Sequence, residues 1–122
     1  MQSVLLVDDS RAIRNSLRVI FEDAGFAFSE AENAHEALIL AKKLHPGVII
    51  LDLSMPGMSG FQAATLLKTV VPDTPIIMFT MFADEKFARL AIESGVNAVI
   101  SKTQGATPLI EKVHALSNSA SH

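Results

Sequence analysis

Five polar side chains stand where apolar runs stop. Val4 to Val7 ends in Asp8-Asp9, Val48 to Leu51 in Asp52, Ile76 to Phe79 in Thr80, and Ala98 to Ser101 in Lys102. Brought to one crevice, three carboxylates, a hydroxyl and an ammonium have a definite chemistry. Carboxylates that close repel, and the repulsion raises a carboxylate's pKa unless a cation compensates. Mg²⁺ (or another divalent cation such as Mn²⁺) resolves this, because a hard cation takes one or two carboxylates and keeps several waters. Asp52 then retains a free oxygen facing an electropositive site. A phosphoryl ligand completes the set, with the cation on one oxygen, Lys102 neutralising another and Thr80 donating a hydrogen bond to a third. A carboxylate that attacks phosphorus forms an aspartyl phosphate.

Each residue alone has a plainer reading. Asp8-Asp9-Ser10 before a helix reads as an N-cap with charge complementing the helix dipole. Asp52 alone could cap the turn that follows, and Met55-Pro56-Gly57 alone is a turn. Thr80 alone is a strand-end hydroxyl or a helix cap, and Lys102 alone is a solvated lysine. It is the conjunction at four strand ends that argues for a shared mechanism. His35, His45, His114 and His122 are scattered without partners at metal-ligand spacing.

The elements that must position these residues are readable from periodicity. Val48 to Asp52 follows no alternation, which fits a strand buried on both faces of a parallel sheet. Ile13, Leu17, Ile20, Phe21 and Ala24 recur at helical spacing, and Gly25 closes that helix. Phe26 to Ala31 alternates weakly as a second strand. Asn33 caps a second helix, with Glu36 placed for a capping box. Ser59 caps a third helix, which ends near Val71-Pro72. Asp84 to Ser94 forms a fourth, closed by Gly95. Thr107-Pro108 reads as an N-cap followed by proline at the first helical position of the fifth. Ser117 to His122 reads as a frayed polar tail. Strands alternating with helices imply parallel pairing, right-handed crossovers and helices on both faces. With a central third strand, the order 2-1-3-4-5 is the natural candidate, with a crevice between strands one and three.

The chain has 122 residues, enough for one domain (1–122, core about 4–117, tail 118–122). It has no cysteine, which excludes a disulfide scaffold and cysteine-based metal or redox chemistry. A net charge of −3 gives no basic footprint for nucleic acid. No apolar run approaches a membrane span, and Met1-Gln2-Ser3 carries no positive n-region. The expectation is a soluble cytoplasmic protein.

These motifs resemble the receiver domains of response regulators in bacterial two-component signalling. The likeness runs from Val4 to about Ser117. It rests on Leu5-Leu6-Val7-Asp8-Asp9-Ser10, on Asp52 through Gly60, on Thr80, on Gly95 and on Ser101-Lys102. The resemblance implies a flavodoxin-like (βα)5 doubly wound parallel sheet of order 2-1-3-4-5, and that Asp52 is the phosphoacceptor. It implies that Asp9 binds Mg²⁺ directly, Asp8 through water, and the backbone carbonyl of Ser54 as a further ligand. Thr80 and Lys102 match the switch hydroxyl and the phosphate-binding lysine. A sensor histidine kinase or a histidine phosphotransfer protein would donate the phosphoryl group, docking along the first helix near Ile13 and Arg14 (Ile13 is equally plausible as core). The surface of helix four, strand five and helix five would then change. The activity is a signalling switch with slow autodephosphorylation, not metabolic catalysis.

Three positions depart from the family pattern. Val99 stands where an aromatic residue usually lies, which removes the usual rotamer switch. Thr103 replaces the proline that usually follows the lysine in a cis peptide, so the loop there should be trans. Met81 replaces a small residue, and a bulky side chain there should partly cover the phosphorylation site and slow exchange with solvent. These departures keep open an alternative, a pseudo-receiver acting as a constitutive interaction module. A phosphatase using an aspartyl nucleophile would need a second Asp where Ser54 stands, and a flavin carrier would need a phosphate loop after strand one. No output domain fits in 122 residues, so the expectation is either a protein that acts alone through contacts with an unknown output partner or the receiver portion of a longer chain. A monomer and a phosphorylation-dependent dimer are both compatible with the sequence.

Overall fold

A computed structural model describes residues 2–53, 57–81 and 84–120. The apolar run Val48–Leu51 is strand β3, fully buried at the centre of a five-stranded parallel sheet. Its neighbours are β1 (Ser3–Val7) and β4 (Ile76–Thr80), flanked by the edge strands β2 (Ala27–Ala31) and β5 (Ala98–Ser101). The order is β2-β1-β3-β4-β5, the expected flavodoxin-like arrangement. Helices α1 (Arg11–Asp23), α2 (Ala34–Leu44), α3 (Gly60–Val70), α4 (Glu85–Glu93) and α5 (Thr107–Ala120) connect or follow the strands.

Successive residues of a strand point to opposite faces, and β3 supplies both. Ile49 and Leu51 join Leu5, Val7, Ile76 and Met78 under α2, α3 and α4. Ile50 joins Leu6, Ile77 and Phe79 under α1 and α5. The contacts of those first three helices are made largely by alanines, Ala37 and Ala41 on α2, Ala63 and Ala64 on α3 and Ala91 on α4, each essentially buried. The other face is packed by bulkier groups, with Phe21 edge-on to Phe26 at 5.3 Å between ring centroids. Register fixes the functional edge. Val7 pairs with Leu51, Leu51 with Met78, and Thr80 with Ser101, so the strand ends that carry polar residues share one edge.

The caps explain where the helices start. Ser10 Oγ accepts the N–H of Ile13, and Asn33 Oδ1 accepts that of Glu36 at 2.8 Å. The box expected at Asn33 is not closed, because Glu36 accepts from the N–H of Glu32 instead. A reciprocal box forms at Ser59 and Gln62. Asp84 caps α4 by accepting the Phe87 N–H. Two glycines are dictated by the backbone. Gly25 takes φ +91 after α1. At Gly60 a Cβ would lie 2.6 Å from the Asp52 carbonyl oxygen, so only glycine lets α3 start so close to the end of β3.

Two terminal expectations are corrected. Thr107 is the first residue of α5 rather than its cap, and the first helical bond runs from the Ile110 N–H to the Ala106 carbonyl. The helix also continues to Ala120 instead of fraying at Ser117. Ser117 itself is buried. Ser121 and His122 lie outside the described residues. Among the described residues no helix is long and apolar enough to cross a membrane.

Candidate functional site

Asp8 and Asp9 follow β1, and Asp52 follows β3. Each of the three offers a carboxylate oxygen within 4.8 Å of the others. Asp8 and Asp52 are buried, and Asp9 is exposed. Burial of this kind requires partners. Asp8 Oδ1 accepts the Ser10 N–H at 2.8 Å, and its own N–H donates to Ala31. The Asp52 N–H donates to Val7 at 2.9 Å, which ties the end of β3 to that of β1.

Lys102 supplies the counter-charge. It leaves β5 and begins a short 3₁₀ turn, Lys102–Gln104. Its Nζ donates to Asp8 Oδ2 at 3.1 Å and to Asp52 Oδ1 at 3.2 Å, and lies 5.8 Å from the Phe79 ring centroid. A single ammonium thus bridges two buried carboxylates, while a third stands beside them. One positive charge against three negative ones leaves an excess suited to a divalent cation. The donor set is all oxygen, as a hard ion prefers. Thr80, at the end of β4, is buried at the same sheet edge. The Ser54 carbonyl lies outside the described residues, as do Met55 and Pro56.

The three departures fall in different places. Val99 is half-buried and packs with the cluster under α2, α3 and α4. The peptide at Thr103 is trans, as expected, for no described residue has a cis bond. Ser101 Oγ and Thr103 Oγ1 lie 2.6 Å apart and hold the turn. Met81 is 60% exposed. It lines a groove of about 390 Å³ with Ile13, Ile20, Phe79, Lys102 and Ala106, against α1.

Arg14 was expected on a docking surface and is found inside. It is only 9% exposed. Its Nη1 donates to the Asp8 carbonyl at 2.8 Å and its Nε to Glu30 at 3.2 Å. Glu30, near the end of β2, also accepts from Arg18 at 2.7 Å. The Arg18 bond, chiefly, with help from Arg14 and against partial desolvation, holds the Glu30 carboxyl below its ordinary range. Sequence patterning gave no sign of this network. The available signal was an arginine one helical turn past the Asp8-Asp9 pair, with a lone carboxylate on the neighbouring strand.

The chain is similar to known proteins in sequence and in fold. Residues 4–114 match the family model described as response regulator receiver domain. The chemotaxis protein CheY of Halobacterium salinarum is 36% identical over 101 residues, 83% of this chain and 84% of that protein. The transcriptional regulatory protein YdfI of Bacillus subtilis is 35% identical over 117 residues, 94% of this chain but 54% of that protein. The chain thus spans about half the length of such regulators. Among solved structures, Vibrio cholerae chemotaxis protein CheY4 superposes with TM-score 0.89 at 30% identity, covering 95% of this chain and 98% of that one. Thermotoga maritima response regulator TrrA, in complex with Mg(2+)-BeF, gives 0.86 at 30% identity, covering 95% and 99%. The chain therefore belongs to the response regulator receiver domains of two-component signalling, whose general function is that of a phosphorylation switch.

Proposed function

We propose that Asp52 accepts a phosphoryl group and that this modification switches the protein's surface. The observation that carries the reading is the bridge of Lys102 between Asp8 and Asp52 inside a cluster of three carboxylates. Asp9, Asp52 and the Ser54 carbonyl would hold Mg²⁺ or Mn²⁺, with Asp8 acting through water. When bound, such an ion neutralises charge on the phosphoryl oxygens. That the Thermotoga maritima relative was solved in complex with Mg(2+)-BeF supports the choice of a divalent cation.

The residues of the chain divide the work. A carboxylate oxygen of Asp52 bonds to phosphorus as the bond from phosphorus to the donor's imidazole nitrogen breaks. The leaving nitrogen keeps the electron pair and is reprotonated. Lys102 neutralises the arriving charge and Thr80 donates to a phosphoryl oxygen, so both are drawn inward. The phosphorylated side chain brings up to two negative charges. Lys102 then exchanges its bond to Asp8 for one to the phosphoryl group, and the turn it starts moves with it. The face of α4, β5 and α5 changes in consequence. The donor is a sensor histidine kinase or a histidine phosphotransfer protein, and the output lies with a separate partner or an attached domain.

The test is incubation with Mg²⁺ and a small phosphodonor, followed by intact-mass measurement. Wild type should gain one phosphoryl group, and Asp52→Asn or chelation of the metal should abolish the gain. A chain that gains none, with Asp52→Asn behaving like wild type, is instead a constitutive interaction module, and an equal gain in Asp52→Asn would move the acceptor to another residue.

A further inference from the structure

We infer that Arg14 is a positioning residue for the acidic cluster, and that Glu30 keeps its charge from competing there. The inference rests on reading Asp8, Asp9 and Asp52 as a divalent-cation site. Asp8 is held at four points. Its N–H donates to Ala31 on β2, Oδ1 accepts from Ser10, Oδ2 accepts from Lys102, and its carbonyl accepts from Arg14 at 2.8 Å. The carbonyl is the point from which the chain turns into Asp9. The Arg14 bond therefore fixes the peptide plane between the two carboxylate-bearing residues, and with it the aim of both side chains.

Arginine suits this place because its planar fork serves two acceptors at once. One arm reaches the Asp8 carbonyl while Nε meets Glu30 at 3.2 Å. The second function follows from charge. A buried guanidinium beside a cation site repels the ion and, if free to turn, can occupy its carboxylates. Glu30 offsets that charge and holds the fork away from them. Arg18 braces Glu30 from the outer side at 2.7 Å and rests 5.1 Å from the Phe28 ring centroid. Its guanidinium pairs with Glu30 and Glu22 rather than with Asp8, so it belongs to the same network without the positioning role.

The chain has no Trp or Tyr, so calorimetric titration of the full chain with MgCl2 is the natural measurement, beside thermal unfolding by circular dichroism. Arg14→Gln should raise the Mg²⁺ dissociation constant about tenfold, the scale of an outer-shell support. Arg14→Lys should recover part of that loss. Arg18→Gln should lower the unfolding temperature and leave Mg²⁺ binding within about twofold of wild type, as befits a partly exposed pair. Glu30→Gln should weaken binding about threefold, and that loss should vanish in an Arg14→Met background. Should Arg14→Gln fail to fold, Arg14→Lys and Glu30→Gln carry the test. Equal binding losses in the Arg14 and Arg18 variants, or none in either, overturn the positioning role. A wild-type chain that binds no Mg²⁺ overturns both the cation-site reading and this inference. Normal wild-type binding with unchanged Arg14 variants overturns this inference alone.

Discussion

Asp8 and Lys102 meet at 3.1 Å, yet the chain holds them by opposite means. Asp8 ends a strand paired on both sides, and its backbone and side chain are bonded to Ala31, Ser10 and Arg14. Lys102 leaves the edge strand β5, whose residues are all half-buried, and enters a three-residue turn ending at Gly105 with φ +77. The ammonium is fixed by the carboxylates it bridges and by its place near Phe79. The β1–β3 side is thus built by backbone and buried bonds, and the β5 side by attraction to the charge it neutralises. A change of charge at Asp52 acts first on the weaker attachment. That contrast explains how adding a phosphoryl group can move one side of the site while leaving the other in place.

The strongest way to break the comparison is to remove the lysine. Lys102→Ala leaves two buried carboxylates without their cation. Breaking a buried pair from one side costs about 3 kcal/mol. Urea unfolding without divalent metal should show a loss of that order. Millimolar Mg²⁺ should recover much of it, since a ligand of the folded state stabilises by mass action, and should bind more tightly than to wild type. An equal loss with and without Mg²⁺ would mean that Lys102 supports the turn rather than the charge balance.

A smaller effect sharpens the β1–β2 side. The Glu30 carboxyl titrates below its ordinary value of 4.5, chiefly through Arg18. A carboxyl lowered by folding contributes stability that is fully present above its unfolded value and is lost as pH falls through the lowered folded one. Glu30→Gln should therefore cost about 1 kcal/mol at neutral pH, allowing for partial exposure. The gap to wild type should close as the pH drops below 4.5. Paired denaturation curves at neutral and acid pH measure this. A gap that persists in acid would locate the loss in packing rather than charge.

A parallel sheet with a central third strand and the gathering of Asp8, Asp9, Asp52 and Lys102 are legible because both follow from short patterns, whereas the full strand order is a candidate that pattern alone does not derive. An unalternating run such as Val48 to Leu51 needs two covered faces, and a parallel sheet places successive strand ends on one edge. What escaped the sequence depends on side-chain direction. Arg14 sits at a helical position that reads equally well as solvated, docking or buried, and only the fold brings Glu30 within reach. Ser59 and Gln62 form a box by the same rule that suggested one at Asn33 and Glu36, where the neighbouring Glu32 N–H took the glutamate instead. Ser117 to Ala120 is polar and small, yet the helix that composition alone would end runs on to Ala120, with Ser117 buried.

Met81 gives the smallest expected effect and the most direct check on how far the β4–β5 side moves. From its bulk the sequence places it over Asp52 as a cover. The structure sets it 60% exposed, on a groove wall shared with Ile13, Ile20 and Ala106. Truncating an exposed side chain changes energies by roughly half a kcal/mol or less, which is about a twofold change in rate. Met81→Ala should therefore leave the loss of phosphate from Asp52 within about twofold of wild type, followed by intact mass after removal of the phosphodonor. An acceleration of about tenfold, equivalent to 1.4 kcal/mol, would require Met81 to swing over Asp52 once the phosphoryl group is in place. In that case the segment after β4 moves on phosphorylation as far as the lysine does, and the mobile side of the site includes both strand ends.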